Sequence, residues 1–159
     1  MHDDTTLSSN EALRAARRLA PLAAAVLLAL AGCAMSGGSA TPLLDTQWKL
    51  TRIGDMPATV GGQRSEPVLS LSASGAERRF GGSSGCNRYS GLYELDGAKL
   101  KFGAAMATKM ACEPQVMAVE QRLFRAFGET ASYRIDGGSL KLLDAQGTVL
   151  AEFASIATR

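Results

Sequence analysis

From residue 44 to about residue 153 the chain is cut into short apolar runs by glycine turns, and only one stretch shows helical spacing instead. Runs of this length, with turn residues between them, read as short strands that pair with antiparallel neighbours. Gln47 to Ile53 alternates Trp48, Leu50 and Arg52 against polar neighbours and stops at Gly54-Asp55. A Gly-, Pro- and polar-rich loop, Met56 to Glu66, follows. Val68, Leu69 and Leu71 open a second strand, and Ala73-Ser74-Gly75 turns it into Glu77 to Phe80. Tyr89 to Leu95 and Lys99 to Phe102 flank Asp96-Gly97, the strongest hairpin signal in the chain. Ser132 to Ile135, Ser139 to Leu143 and Thr148 to Phe153 form a closing meander.

The exception is Pro114 to Gly128. Val116, Val119, Leu123 and Phe127 recur at helical spacing, and Phe124 widens the stripe. Pro114 suits a first helical turn and Gly128 a C-terminal cap. Burying four or five such side chains stabilises by roughly 10 kcal/mol before ordering entropy is subtracted. The expectation is an α+β fold: about eight short strands in a twisted antiparallel sheet, curled around or against one helix.

Ahead of this domain, Arg14, Arg17 and Arg18 precede an apolar run from Leu19 to Ala31, broken only by Pro21. About a dozen residues is too short to span a bilayer, which takes roughly 20, and suits a cleaved export signal. Met1 to Leu13 is long and acidic for such a segment, as though the natural start lay further downstream. The run closes on Leu30-Ala31-Gly32-Cys33, which resembles a bacterial lipobox and makes Cys33 the expected lipidation site and new N-terminus. More than one acyl chain on Cys33 would make anchoring stable. Ala34 follows, not the aspartate of an inner-membrane retention signal, so a Gram-negative cell would carry the protein on its outer membrane, facing the periplasm. The expected organisation is a leader at 1–32, a flexible tether at 33–43 and one domain at 44–154.

That division sharpens the chemistry. The leader holds three basic and three acidic residues, so the mature part keeps the chain's formal charge of +2. No basic run interleaves with aromatics, which speaks against nucleic acid as a partner. The one histidine, His2, lies in the leader. The mature part therefore lacks imidazole for acid–base catalysis, for activating a nucleophile, or for binding a transition metal. No catalytic residue, metal ligand or cofactor is expected. Of the three cysteines, lipidation of Cys33 leaves Cys86 and Cys112. In an oxidising compartment these read as a disulfide, with two buried free thiols as the alternative. Closing a loop of about 27 residues would stabilise by roughly 3.5 kcal/mol.

Several segments carry a family resemblance. Trp48-Lys49-Leu50, then Gly85-Cys86-Asn87-Arg88-Tyr89-Ser90-Gly91 with Tyr93, then Ala107-Thr108-Lys109-Met110-Ala111-Cys112, and finally Tyr133, Leu140 and Leu142 after the helix, resemble a META domain of the HslJ heat-shock type. The resemblance runs from about Leu44 to Phe153. It implies a half-open antiparallel barrel with a packed helix, a domain often found on bacterial lipoproteins, and no established enzymatic activity. It also implies a link to secretion, motility or envelope stress, including antibiotic tolerance.

Gly81-Gly82-Ser83-Ser84-Gly85 lacks the lysine of a phosphate-binding loop, so it reads as a bend or bulge where backbones approach closely. Asn87 reads as a side chain that hydrogen-bonds a nearby turn. Asn87, Arg88, Thr108 and Lys109 form the one polar cluster that a disulfide would gather into a candidate binding site, a solvated rim being the plainer alternative. The sole tryptophan, Trp48, reads as a core anchor. The expected function is a non-catalytic interaction or accessory module in the envelope, with an envelope protein as partner. A small apolar or lipid-like ligand in the barrel mouth is the alternative.

Overall fold

The structure, a computed structural model, describes residues 41–59 and 62–156. The expected leader, Cys33 and residues 33–40 of the expected tether lie outside the described residues. The elements are β1 (Gln47–Ile53), β2 (Met56–Pro57), β3 (Val68–Ser74), β4 (Glu77–Ser83), β5 (Arg88–Asp96), β6 (Lys99–Phe102), β7 (Met106–Ala107), α1 (Pro114–Glu129), β8 (Ser132–Asp136), β9 (Ser139–Leu143) and β10 (Val149–Ile156). The α+β fold expected from the pattern is the one observed. Eight strands run antiparallel in the order β1-β3-β4-β5-β6-β8-β9-β10, and β10 returns to pair with β1. The two-residue strands β2 and β7 lie beside β1 and β5. The ring is thinnest between β6 and β8, which meet in register only at Lys99 and Ser132.

Inward alternation builds the core. Trp48 and Leu50 point inward from β1, Leu69 and Leu71 from β3, and Leu140 and Leu142 from β9, all at most 1% exposed. In β1 the phase then changes. A bulge between Leu50 and Arg52 in the pairing with β10 turns Ile53 inward and leaves Arg52 exposed, so the simple alternation through Arg52 does not hold. One extra residue on one strand is what reverses the faces. Trp48 is fully buried and its Nε1 donates to Leu43 O at 3.1 Å, which anchors the chain entering β1. Leu43 is itself buried, so residues 41–43 belong to the folded part.

The helix fills what the ring encloses. Val116, Val119, Leu123 and Phe127 are all buried on one face of α1. Phe127 lies 5.3 Å from the Phe80 ring of β4, 5.4 Å from Tyr89 of β5 and 4.8 Å from Phe102 of β6. Edge-on and tilted ring contacts at such spacings add to the area they bury. The helix begins at Pro114 but does not stop at Gly128. It continues to Glu129, and Thr130 closes it in extended conformation, its Oγ1 donating to Ala126 O at 2.7 Å. That hydroxyl satisfies a terminal carbonyl that a left-handed glycine cap would otherwise serve.

Close approach at the glycine-rich end of β4 is strict. A Cβ on Gly82 would stand 1.9 Å from Val68 O. The same carbonyl accepts the Tyr89 hydroxyl at 2.8 Å. Burial pushes the Tyr89 pKa far above the ordinary phenol range, which keeps this hydroxyl a donor. Gly82→Ala should therefore force β3 from β4 and destabilise by about 3 kcal/mol or more, read from urea unfolding. Gly54→Ala, at an open turn where a Cβ meets nothing within 4 Å, should cost only about 1 kcal/mol. Equal losses at the two positions would refute the steric reading.

Candidate functional site

The loop between β4 and β5 is held from three directions. Gly85 adopts φ +97°, which favours glycine, and its carbonyl accepts Arg64 N–H at 2.9 Å from the loop ahead of β3. Within the loop, Ser84 N–H donates to Asn87 O at 2.9 Å and Asn87 N–H donates back to Ser84 Oγ at 3.0 Å. The chain thereby turns tightly enough to aim the Asn87 side chain inward, where it is 1% exposed.

Asn87 is the hub. Its Oδ1 accepts from Thr108 Oγ1 at 2.8 Å and from Met110 N–H at 2.8 Å. Its Nδ2 donates to Met110 O at 3.3 Å and to Glu120 Oε1 at 3.1 Å. The other carboxylate oxygen of Glu120 accepts a short hydrogen bond from the Ser84 hydroxyl. An amide offers two donors and two acceptor lone pairs, and here all four are engaged. The network joins three parts of the chain: the β4–β5 loop, the segment ahead of α1, and α1 itself. Among the described residues no buried side-chain nitrogen or oxygen lacks a partner.

Glu120 was not among the residues singled out from the sequence. It is 7% exposed, and it sits four residues after Val116 and three before Leu123, squarely within the apolar stripe. A charged residue at a stripe position was the available signal. A stripe traced through apolar residues alone passes over it.

Of the two alternatives for Cys86 and Cys112, the structure holds the disulfide. The sulfurs are 2.08 Å apart and the Cα atoms 6.1 Å, inside the usual range for a bridge. It runs beside the Asn87 network and ties the same loop to the segment before α1. Thr108 reaches Asn87 with its side chain, and its Oγ1 also accepts Arg88 N–H at 3.2 Å. Arg88 and Lys109 are exposed, and neither side chain has an ion-pair partner among the described residues. The four candidate residues therefore divide. Asn87 and Thr108 are spent on holding the fold, and Arg88 and Lys109 stand free at the surface.

Among the described residues no group of three His, Cys, Asp or Glu could hold a metal ion, and no helix is long and apolar enough to cross a membrane. The latter says nothing of strands.

Residues 41–156 match the META domain family, a span that includes the Gly-Cys-Asn loop, its disulfide partner and α1. The chain belongs to the META domain family. Among solved structures, it is similar to a protein from Burkholderia xenovorans determined by NMR, at 30% identity, covering 74% of this chain and 85% of that one with a TM-score of 0.58. A second NMR structure is similar at 23% identity, covering 70% of this chain and 91% of that one with a TM-score of 0.54, and supports the fold alone. A search of curated proteins finds no match. The META match and these neighbours indicate no catalytic family.

Two tests follow from the loop geometry. Asn87→Ala should strand Glu120, Thr108 and the Met110 N–H, and lower stability by about 3–5 kcal/mol. Asn87→Asp keeps the acceptor for Met110 but sets a second carboxyl against Glu120. It should therefore also lower the urea midpoint, and a midpoint equal to the wild type's would show that the two groups do not face each other. Reducing Cys86–Cys112 should lower stability by roughly 3.5 kcal/mol, measured as a shifted urea midpoint. Alkylation of the denatured protein should label these two cysteines only after a reductant is added.

Proposed function

We propose that this META-domain protein is a lipid-anchored lipoprotein of the Gram-negative outer membrane, facing the periplasm. Its domain acts there as a non-catalytic interaction or accessory factor in envelope homeostasis, secretion or stress tolerance, including tolerance of antibiotics. The observation that carries the reading is Leu30-Ala31-Gly32-Cys33 at the end of a short apolar run, only a few residues ahead of the META match at residue 41. The Cys86–Cys112 bridge supports it, because disulfides persist in oxidising compartments.

The filling of the barrel favours interaction over storage of a ligand. The space inside the ring is taken by Phe80 and Phe127, each 2% exposed, with Tyr89, Phe102 and Phe124 packed around them, and α1 seals it. A small apolar or lipid-like ligand in the mouth would have to displace this aromatic cluster. The buried polar node is likewise fully paired and offers no free group to a substrate. What remains available to a partner is the outer surface.

Cys33→Ser should release the protein from the membrane fraction or stall its maturation with the leader attached. Fractionation together with the intact mass of the mature chain reads both outcomes. Unchanged partitioning without acyl mass on the wild-type chain would overturn the anchor.

A further inference from the structure

The sheet registers place a line of small residues across three strands on the outer face of the barrel and run it into Met106 on a fourth. Ser70 of β3 pairs with Gly81 of β4, Gly81 with Ser90 of β5, and Ser90 with Met106 of β7. Two residues away along β5 on either side stand Arg88, paired with Ser83, and Leu92, paired with Arg79. Arg88 and Leu92 are four positions apart along the strand, about 13 Å, and the residues between their rows are too small to fill that width. A groove of about 730 Å³ follows the β3–β4 part of this line, bounded by Arg64, Arg79, Arg88 and Met110. The line ends at Met106, which is 75% exposed.

Two further properties single out this face. The exposed large hydrophobics among the described residues are Leu92, Met106 and Met110, and all three border it. Its charges are unbalanced in one direction. Glu66 is paired with Lys49 and Arg79 with Glu77, which leaves Arg64 and Arg88 without an ion pair among the described residues. Methionine and arginine are side chains that protein interfaces favour.

We propose that this trough is the partner-docking surface of the domain and that it takes a single extended segment of another protein, with apolar side chains flanked by carboxylates. The apolar side chains would lie against Met106, Met110 and Leu92, and the carboxylates against Arg64 and Arg88. The concavity, about one polypeptide wide, favours a chain over a lipid surface. The inference rests on the proposed interaction role and names the surface and partner chemistry that role requires.

The test uses the full chain with Met106→p-benzoylphenylalanine, irradiated with a synthetic peptide of alternating Leu and Glu and, separately, one of alternating Leu and Lys. The acidic peptide should form the adduct, and Arg64→Glu with Arg88→Glu should lower its yield about tenfold. The milder pair Arg64→Gln with Arg88→Gln should give an intermediate yield, and unchanged unfolding midpoints would confirm that both variants fold. In cells the same position should cross-link to protein whose attached peptide is acidic and apolar, while the photoreactive residue in place of Gln146, in the β9–β10 turn, should give no such adduct. Equal labelling by the basic peptide, indifference to the arginines, adducts on lipid, or no adduct would each overturn the proposal. Membrane fractionation of the same cells reads the anchor separately, so a soluble chain that still labels in this charge-dependent way would fail only the anchoring claim.

Discussion

The helix cannot dock unless the carboxylate on its buried face is satisfied. Glu120 lies among Val116, Val119 and Leu123 on the side of α1 that faces the ring. An unpaired carboxylate there would cost more than its apolar neighbours gain by burial. The Ser84 hydroxyl and the Asn87 amide remove that cost by occupying one oxygen each. The same amide clamps both backbone groups of Met110, and the disulfide closes beside it. One side chain thus couples the β4–β5 loop to the helix and to the segment that leads into it.

This coupling explains why the glycine-rich end of β4 must be so spare. Ser84 and Asn87 can aim at α1 only if the loop turns immediately after β4, and Gly85 supplies the required backbone. Gly82 lets the β3 backbone come close enough for Tyr89 to reach Val68 O. Tyr89 in turn packs edge-on against Phe124 at 5.6 Å. Steric room in β4, a hydrogen bond on β5 and the aromatic face of α1 are therefore parts of one arrangement. A change in any of them is felt at the others.

Much of this was legible in the chain because it is local. Each ring strand is short, bounded by turn residues and apolar on one face, and α1 carries a helical stripe. The features that were not legible depend on distant partners. Ile53 faces inward rather than Arg52 because of a bulge against β10, about a hundred residues away. The two-residue strands β2 and β7 exist only because β1 and β5 offer them an edge. Gly128 has the local habit of a cap, yet Thr130 closes the helix through a bond to Ala126. For the site, the expected pairing of Cys86 with Cys112 brought Asn87 and Thr108 together, but nothing in the spacing showed that Asn87 points inward while Arg88, its neighbour, points out. The Ser84–Asn87 turn aims Asn87 inward, and alternation along β5 from Arg88 onward does the rest.

The same alternation bears on function. Because α1 fills the ring and the Asn87 node consumes its own donors and acceptors, chemistry that needs an open cavity or a free buried group has no place inside. The strands that present Leu69, Leu71, Phe80 and Tyr89 to the core present Ser70, Ser72, Gly81, Arg88 and Ser90 outward from the next positions. A well-filled interior and a shallow arginine-edged outer face are thus two readings of one period-two pattern. In the proposed interaction role, recognition would work through the surface, with the disulfide and the Glu120 node holding Arg88 and Met110 at fixed positions along the edge of the trough.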